Sequence, residues 1–152
     1  MRITYKGDYA LKALLQLALQ YDQGEVLSIN EIAKRGDMPV NFLEQILLAL
    51  RKGGFVKAKR GVKGGFSLAR HPKDITVGDV IRFIDGPLEP ISCVEGDHYK
   101  GCKDTAGCIF RSVWIDVRNA ISIVVDTLTF EELVFKYKAK NINLGAQHEY
   151  SI

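Results

Sequence analysis

Residues 28–70 read SINEIAKRGDMPVNFLEQILLALRKGGFVKAKRGVKGGFSLAR, and the punctuation of this stretch decides the fold. Ser28, with Glu31 three residues on, forms a capping box, and Ile29, Ile32 and Ala33 give a short helix one apolar side. Gly36 is expected to end it. Pro39 suits the first position of a second helix, with the apolar stripe Leu43, Ile46, Leu47 and Leu50 and a stop at Gly53-Gly54. A short helix, a tight turn and a longer helix make a helix-turn-helix. FVKAK at 55–59 alternates apolar and basic side chains, RGVKGG is a turn, and FSLAR at 66–70 returns as a second strand. A basic hairpin directly after a helix-turn-helix is a wing.

Upstream, Leu11, Leu14, Leu15 and Ala18 keep the spacing of one helical face, and Gly24 closes that segment after Tyr21. Downstream, Thr76 with Asp79 opens a helix carrying Val77, Val80, Ile81 and Ile84, which ends near Gly86-Pro87. Phe110, Val113, Trp114, Val117, Ile121, Val124 and Leu128 then hold one stripe over about five turns, roughly 30 Å of helix. So long a stripe outreaches a small domain and predicts packing against the same helix of a second copy. TFEE at 129–132 starts a short last helix. The expected fold class is mainly α with a small β wing. Its parts are a winged helix-turn-helix domain at 1–86, a cysteine-bearing loop at 87–108, a dimerisation helix with the short last helix at 109–140, and a polar tail at 141–152.

The chain has 152 residues, 47% hydrophobic and 26% charged, the balance of an ordinary globular domain. No run approaches the roughly 18 apolar residues of a membrane span. The leucine-rich N-terminal run carries Asp8, Lys12, Gln16 and Gln20 and lacks a small-residue cleavage site, so it does not read as a signal peptide. A cytoplasmic location is expected, where clustered thiols stay reduced and bind metal or sense redox state.

Charge is divided unevenly. Residues 1–73 hold 13 Lys or Arg against 6 Asp or Glu, and residues 74–152 hold 8 against 12. Between Arg51 and Arg70 lie seven basic residues and no acidic one, which suits a polyanion. In a winged helix-turn-helix the second helix of the motif enters the major groove of double-stranded DNA. Its exposed positions here are Pro39, Val40, Asn41, Phe42, Glu44 and Gln45. Asn and Gln can bond adenine through two hydrogen bonds, and Phe42 can touch a thymine methyl. Arg60 at the wing tip suits a narrow minor groove, with Lys59 and Lys63 on the phosphates beside it. Glu44 repels phosphate or accepts from cytosine N4, and so can discriminate between operators. No nucleophile-base set, phosphate loop or histidine-rich metal site is present, so an enzyme or a cluster carrier leaves the basic wing without a purpose.

The segments MRITYKGDYALKALLQLA, FLEQILLALRKGGFVKAKRGVKGGFSLAR and ITVGDVI resemble the IscR, NsrR and CymR group of bacterial transcription regulators, the Rrf-two family, from Met1 to about residue 135. The resemblance implies a homodimer joined mainly through the long helix and bound to a partly palindromic operator. It places DNA contacts on Pro39, Asn41, Phe42 and Gln45, on Arg60 of the wing, and on Lys6.

All three cysteines lie in CVEGDHYKGCKDTAGC at 93–108, where Gly96, Gly101 and Gly107 let the backbone fold tightly. Thiolates are ligands of iron-sulfur clusters and soft metals, and the CxxC pairs of structural zinc are absent. In cluster-binding members of the resembled family three cysteines stand here. Cys102 and Cys108 have the expected five residues between them, while Cys93 and Cys102 are separated by eight. IscR-like proteins place a histidine three residues after the last cysteine, which here is Arg111. NsrR-like proteins use an aspartate near the start of the first helix, supplied by the other subunit, and Asp8 occupies that position. The resemblance therefore favours a 4Fe-4S over a 2Fe-2S cluster on Cys93, Cys102, Cys108 and Asp8, one that aerobic preparation can strip. His98, inside the loop, is an alternative fourth ligand. Asp8 also suits the first turn of a helix with no metal at all. A metal-free thiol sensor or regulator of sulfur metabolism similar to CymR is the alternative for the whole loop.

Overall fold

The computed structural model describes residues 2–94, 102 and 107–148, the last six as backbone. Helix α1 (Tyr5–Leu19) begins at Thr4, whose hydroxyl accepts from the Gly7 N–H at 3.2 Å. Its apolar side, Ala10, Ala13, Leu14, Leu17 and Ala18, is buried, and every other part of the winged domain is built around it. A 3-10 turn at Tyr21–Gln23 follows and ends where Gly24 turns left-handed at φ 64°.

Helix α2 (Ile29–Gly36) starts in the expected capping box. The Ser28 hydroxyl accepts from the Glu31 N–H, and the Glu31 carboxylate accepts from Ser28 N–H at 2.8 Å, which holds the carboxyl below its ordinary pKa. The helix ends at Gly36, as expected. The left-handed cap is Asp37 at φ 50°, a conformation whose cost a short polar side chain reduces.

Helix α3 (Val40–Lys52) has Pro39 as its N-cap and so begins one residue later than the sequence suggested. Extended at ψ 129°, Pro39 offers its carbonyl to Leu43 N–H at 3.3 Å, and its missing N–H has no intrahelical partner to lose there. Leu43, Ile46, Leu47 and Leu50 face the core.

Strands β1 (Val56–Lys59) and β2 (Gly65–Leu68) form the wing as an antiparallel pair, with Val56 opposite Leu68 and Lys59 opposite Gly65. Leu27 adds a third rung by exchanging backbone hydrogen bonds of 2.9 and 2.8 Å with Phe66. This ties the wing to the start of the helix-turn-helix.

Helix α4 (Val77–Asp85) opens in the Thr76–Asp79 capping box and packs on α1. Its last residue also secures the chain start, because Thr4 N–H and Thr4 Oγ1 donate to the two Asp85 carboxylate oxygens at 2.9 and 2.6 Å.

Helix α5 (Ile109–Thr127) carries the long stripe, and none of its side chains is buried within one chain. Ile109, Phe110, Val113, Val117, Ile123 and Val124 are all exposed. Arg82 of α4 holds α5 in place with its guanidinium on both oxygens of Asp126, and a Cβ at Gly78 would overlap that carboxylate.

The last helix is not short: α6 runs Phe130–His148, 19 residues, through much of what reads as a polar tail. The expected TFEE start is present, with Thr129 and Glu132 exchanging backbone and side-chain hydrogen bonds. Among the described residues of α6, Phe130 alone is fully buried, with Leu133 and Val134 partly buried against the core behind it, so the helix left little apolar pattern to read. Val77 N–H to Leu128 C=O and Phe130 N–H to Ile75 C=O, each 3.0 Å, lock the α5–α6 corner onto the start of α4.

Candidate nucleic-acid interface and cysteine segment

The 3.6-residue period of α3 divides its side chains cleanly. Leu43, Ile46, Leu47 and Leu50 turn inward, which leaves Asn41, Phe42, Glu44 and Gln45 exposed together with Pro39 just before the helix. Phe42 is 63% exposed although it is aromatic and sits beside core leucines. Burial within this chain does not account for it.

The wing tip is built by glycine. Gly61 takes φ 110°, Gly64 N–H donates to Gly61 C=O at 2.9 Å, and a Cβ at Gly64 would overlap the Lys59 carbonyl. Lys59, Arg60, Val62 and Lys63 are consequently all exposed around one tight turn. At its base Arg70 stacks over Phe55, 4.7 Å from the ring centroid, and Phe55 lies against Phe83 at 5.4 Å.

Lys6 comes from α1, in a different part of the sequence, yet it joins Phe42 and Gln45 around one groove. The other lining residues are Tyr5, Tyr9 and Ile46. Sequence reasoning missed the two tyrosines. Their signal was the i, i+4 spacing of Tyr5 and Tyr9 around Lys6, which puts the aromatic rings on one side of the first helix, with centroids 6.3 Å apart.

The cysteine segment is anchored at both ends on α5. Cys93 is half-buried in a 3-10 turn, Ser92–Val94, and Arg118 of α5 donates through Nη1 to the Val94 carbonyl at 2.9 Å. Cys108 is half-buried as the N-cap residue of α5, and its carbonyl accepts from Arg111 N–H at 3.2 Å. Cys102 is exposed. His98 lies outside the described residues. Asp8 sits in the first turn of α1, half-exposed and 2.8 Å from Lys12, whose own pKa it raises through that hydrogen bond. Among the described residues no three His, Cys, Asp or Glu side chains meet as a metal-holding group. Cys93 and Cys108 are thus soft donors at the two ends of the segment that α5 holds. The Arg111 Nε, one turn into α5, is buried without a hydrogen-bond partner among the described residues, a donor suited to an anionic occupant beside the cysteines.

A family profile described as "Iron-dependent Transcriptional regulator", Rrf2, matches residues 3–136. This chain belongs to the Rrf2 family. The Rrf2 chain is 42% identical over 137 residues to the rrf2-like HTH-type transcriptional regulator of Rhodobacter capsulatus, covering 87% of this chain and 91% of that one. Its fold matches the structure of CymR, the global cysteine regulator of B. subtilis, with TM-score 0.75 at 32% identity, over 90% of this chain and 98% of that one. It matches T. potens IscR with TM-score 0.70 at 34% identity, over 90% and 88% of the two chains. The protein is therefore a DNA-binding transcription regulator of winged-helix type and not an enzyme. Among the described residues of this Rrf2 regulator no helix is long and apolar enough to cross a membrane.

Proposed function

We propose that this Rrf2 regulator acts in the cytoplasm as a homodimer on a partly palindromic operator, most simply as a repressor, with the 93–108 segment as its sensor. The observation that carries this reading is the pair of faces one chain leaves unburied: the polar face of α3 beside the basic wing, and the apolar face of α5. Two α3 helices held by a shared α5 interface would present recognition surfaces to two half-sites at a set spacing. Asn41 and Gln45 read base edges, Arg60 enters the minor groove, and Lys6, Lys59 and Lys63 neutralise phosphate. Pro39 sets where α3 starts and so which side chains lead. Glu44 screens operators by what it repels.

For the sensor we favour an iron-sulfur cluster, 4Fe-4S before 2Fe-2S, held by Cys93, Cys102 and Cys108, with Asp8 from the partner subunit as the fourth ligand. Three thiols on one segment, and an Arg111 Nε buried without a partner among the described residues, support an anionic, thiolate-bound group. Bound there, a cluster supplies a centre that reacts with oxidants and nitric oxide. The protein's own part is mechanical. Arg118 holds the Cys93 turn on α5, Cys108 caps α5, and Asp8 must leave Lys12 before it can serve another partner. Any preference of the occupant for one placement of α5 would shift the spacing of the recognition helices.

A metal-free thiol reading, of the CymR kind, is favoured by one observation: the ligands do not meet among the described residues. Anaerobic purification with an absorption spectrum and iron and sulfide analysis separates the two. A brown protein with stoichiometric iron and sulfide supports the cluster. A colourless, iron-free protein that binds operator equally with Cys93, Cys102 and Cys108 all changed to Ser removes it.

A further inference from the structure

The groove between α1 and α3 is an apolar slot set into a surface otherwise made for phosphate. Tyr5 is 82% exposed and Phe42 63%, Tyr9 and Ile46 line the space between them, and Lys6 and Gln45 complete the lining. Two exposed aromatic rings facing one groove put a small apolar patch inside a polar surface, which an apolar group of a partner would cover at a gain. The occupant has to satisfy two conditions at once. It must be apolar where it meets Phe42 and Tyr5, and it must come with negative charge for Lys6 and a hydrogen-bonding edge for Gln45. A duplex major groove offers one apolar group on its base edges, the C5-methyl of thymine, and it brings phosphate and neighbouring base edges with it. The groove is also continuous with the exposed face of α3, because Phe42 and Gln45 belong to both. The wall is held in place: the Lys12 ammonium lies 5.5 Å from the Tyr9 ring centroid and is itself paired with Asp8.

We propose that this groove is a thymine-methyl subsite, in which Phe42 and Tyr5 receive the methyl and α1 acts as a second reading element beside the recognition helix. The proposal rests on the operator-binding reading above and extends it, since it assigns base discrimination to a helix outside the helix-turn-helix. Tyr5 thereby becomes a specificity residue, and the half-site gains a thymine next to the base that Gln45 bonds.

The test begins with full-length protein and a randomised duplex library. The enriched duplex is resynthesised with each thymine replaced in turn by deoxyuridine, which deletes the methyl and leaves base pairing intact. Affinities are read by fluorescence anisotropy at fixed salt for the wild type and for Phe42→Ala, Tyr5→Ala and Lys59→Ala. One buried methyl corresponds to about fourfold in affinity, so wild type should lose about fourfold at one thymine per half-site. Phe42→Ala should bring the thymine-to-uridine ratio close to one, Tyr5→Ala should reduce it, and Lys59→Ala should bind more weakly overall while keeping it. A wild-type ratio of one at every thymine overturns the subsite and leaves operator binding standing, as does a fourfold ratio that survives in both Phe42→Ala and Tyr5→Ala. A library from which no sequence is enriched overturns the operator reading as well. Phe42 and Tyr5 are both exposed, so neither substitution removes a core contact.

Discussion

Helices α3 and α5 are both amphipathic, and they meet opposite fates. In α3, 13 residues long, Leu43, Ile46, Leu47 and Leu50 are all buried within the chain. In α5, 19 residues long with an apolar stripe of similar quality, no residue is buried. The difference lies in what surrounds them. Helix α3 packs against α1, α2 and β1, whereas α5 has α4 and the Ser92–Val94 turn along part of its length. An apolar stripe identifies a face that needs covering, and only the packing tells whether the same chain covers it. The winged part completes its own core, and α5 keeps the uncovered apolar face on which the proposed dimer rests.

The largest effect should come from the one residue by which the C-terminal helices enter the winged core. Phe130→Ala should cost about 3–5 kcal/mol in urea unfolding, because a fully buried ring leaves a cavity that α1 and the Pro72–Asp74 turn can only partly close. If α6 were merely appended, the loss would be small. Next is the uncovered face: Val117→Asp together with Val124→Asp should give a monomer in analytical ultracentrifugation. Operator affinity should fall by on the order of 100-fold as the two half-sites cease to be bound together, while the unfolding midpoint of the winged part stays where it was. Arg60→Ala should weaken operator binding about tenfold and flatten its salt dependence, as expected for a wing contact, with no change in stability. Arg82→Ala breaks the tie between α4 and α5, yet the pair is well exposed, so the stability cost should be at most about 1 kcal/mol. Asp126 raises the Arg82 pKa further above an already high value, so this contribution should not vary between pH 6 and 9. The smallest effect belongs to Glu31. Its pKa is lowered, so its contribution is present above the ordinary carboxylate range and is lost as pH falls through the lowered value. Glu31→Gln should therefore lower stability slightly at neutral pH and make no difference once pH falls below the lowered value.

Much of the fold was legible because its signals are local. Ser28 with Glu31 and Thr76 with Asp79 form capping boxes three residues long, and each box forms in the structure as read. The wing could be read from alternation and from Gly61 and Gly64 at its turn, although each strand is one residue shorter than the alternation suggested and the second begins one residue earlier, at Gly65. Cap details were less legible. Asp37, not a glycine, takes the left-handed position, and Pro39 caps α3 instead of entering it, since several residue types can meet those backbone demands. The length of α6 was hidden because one buried phenylalanine anchors it and the rest carries no stripe. For the candidate site, exposure on α3 followed from the positions of its leucines. The groove did not, because Tyr5 and Phe42 are 37 positions apart in the chain and only the packing of α1 on α3 brings them together.

The sequence by itself determined where the helices and strands begin, which face of each is apolar, where the positive charge is concentrated and that three thiols share one segment, because these depend on residues a few positions apart. Only the tertiary structure decided which apolar faces the chain covers and which it leaves open, that Phe130 belongs to the winged core, and that Tyr5 and Phe42 make one surface. Those outcomes depend on the path by which α1, α3 and the α5–α6 corner return to one another, and burial is a property of that path and not of any residue's type.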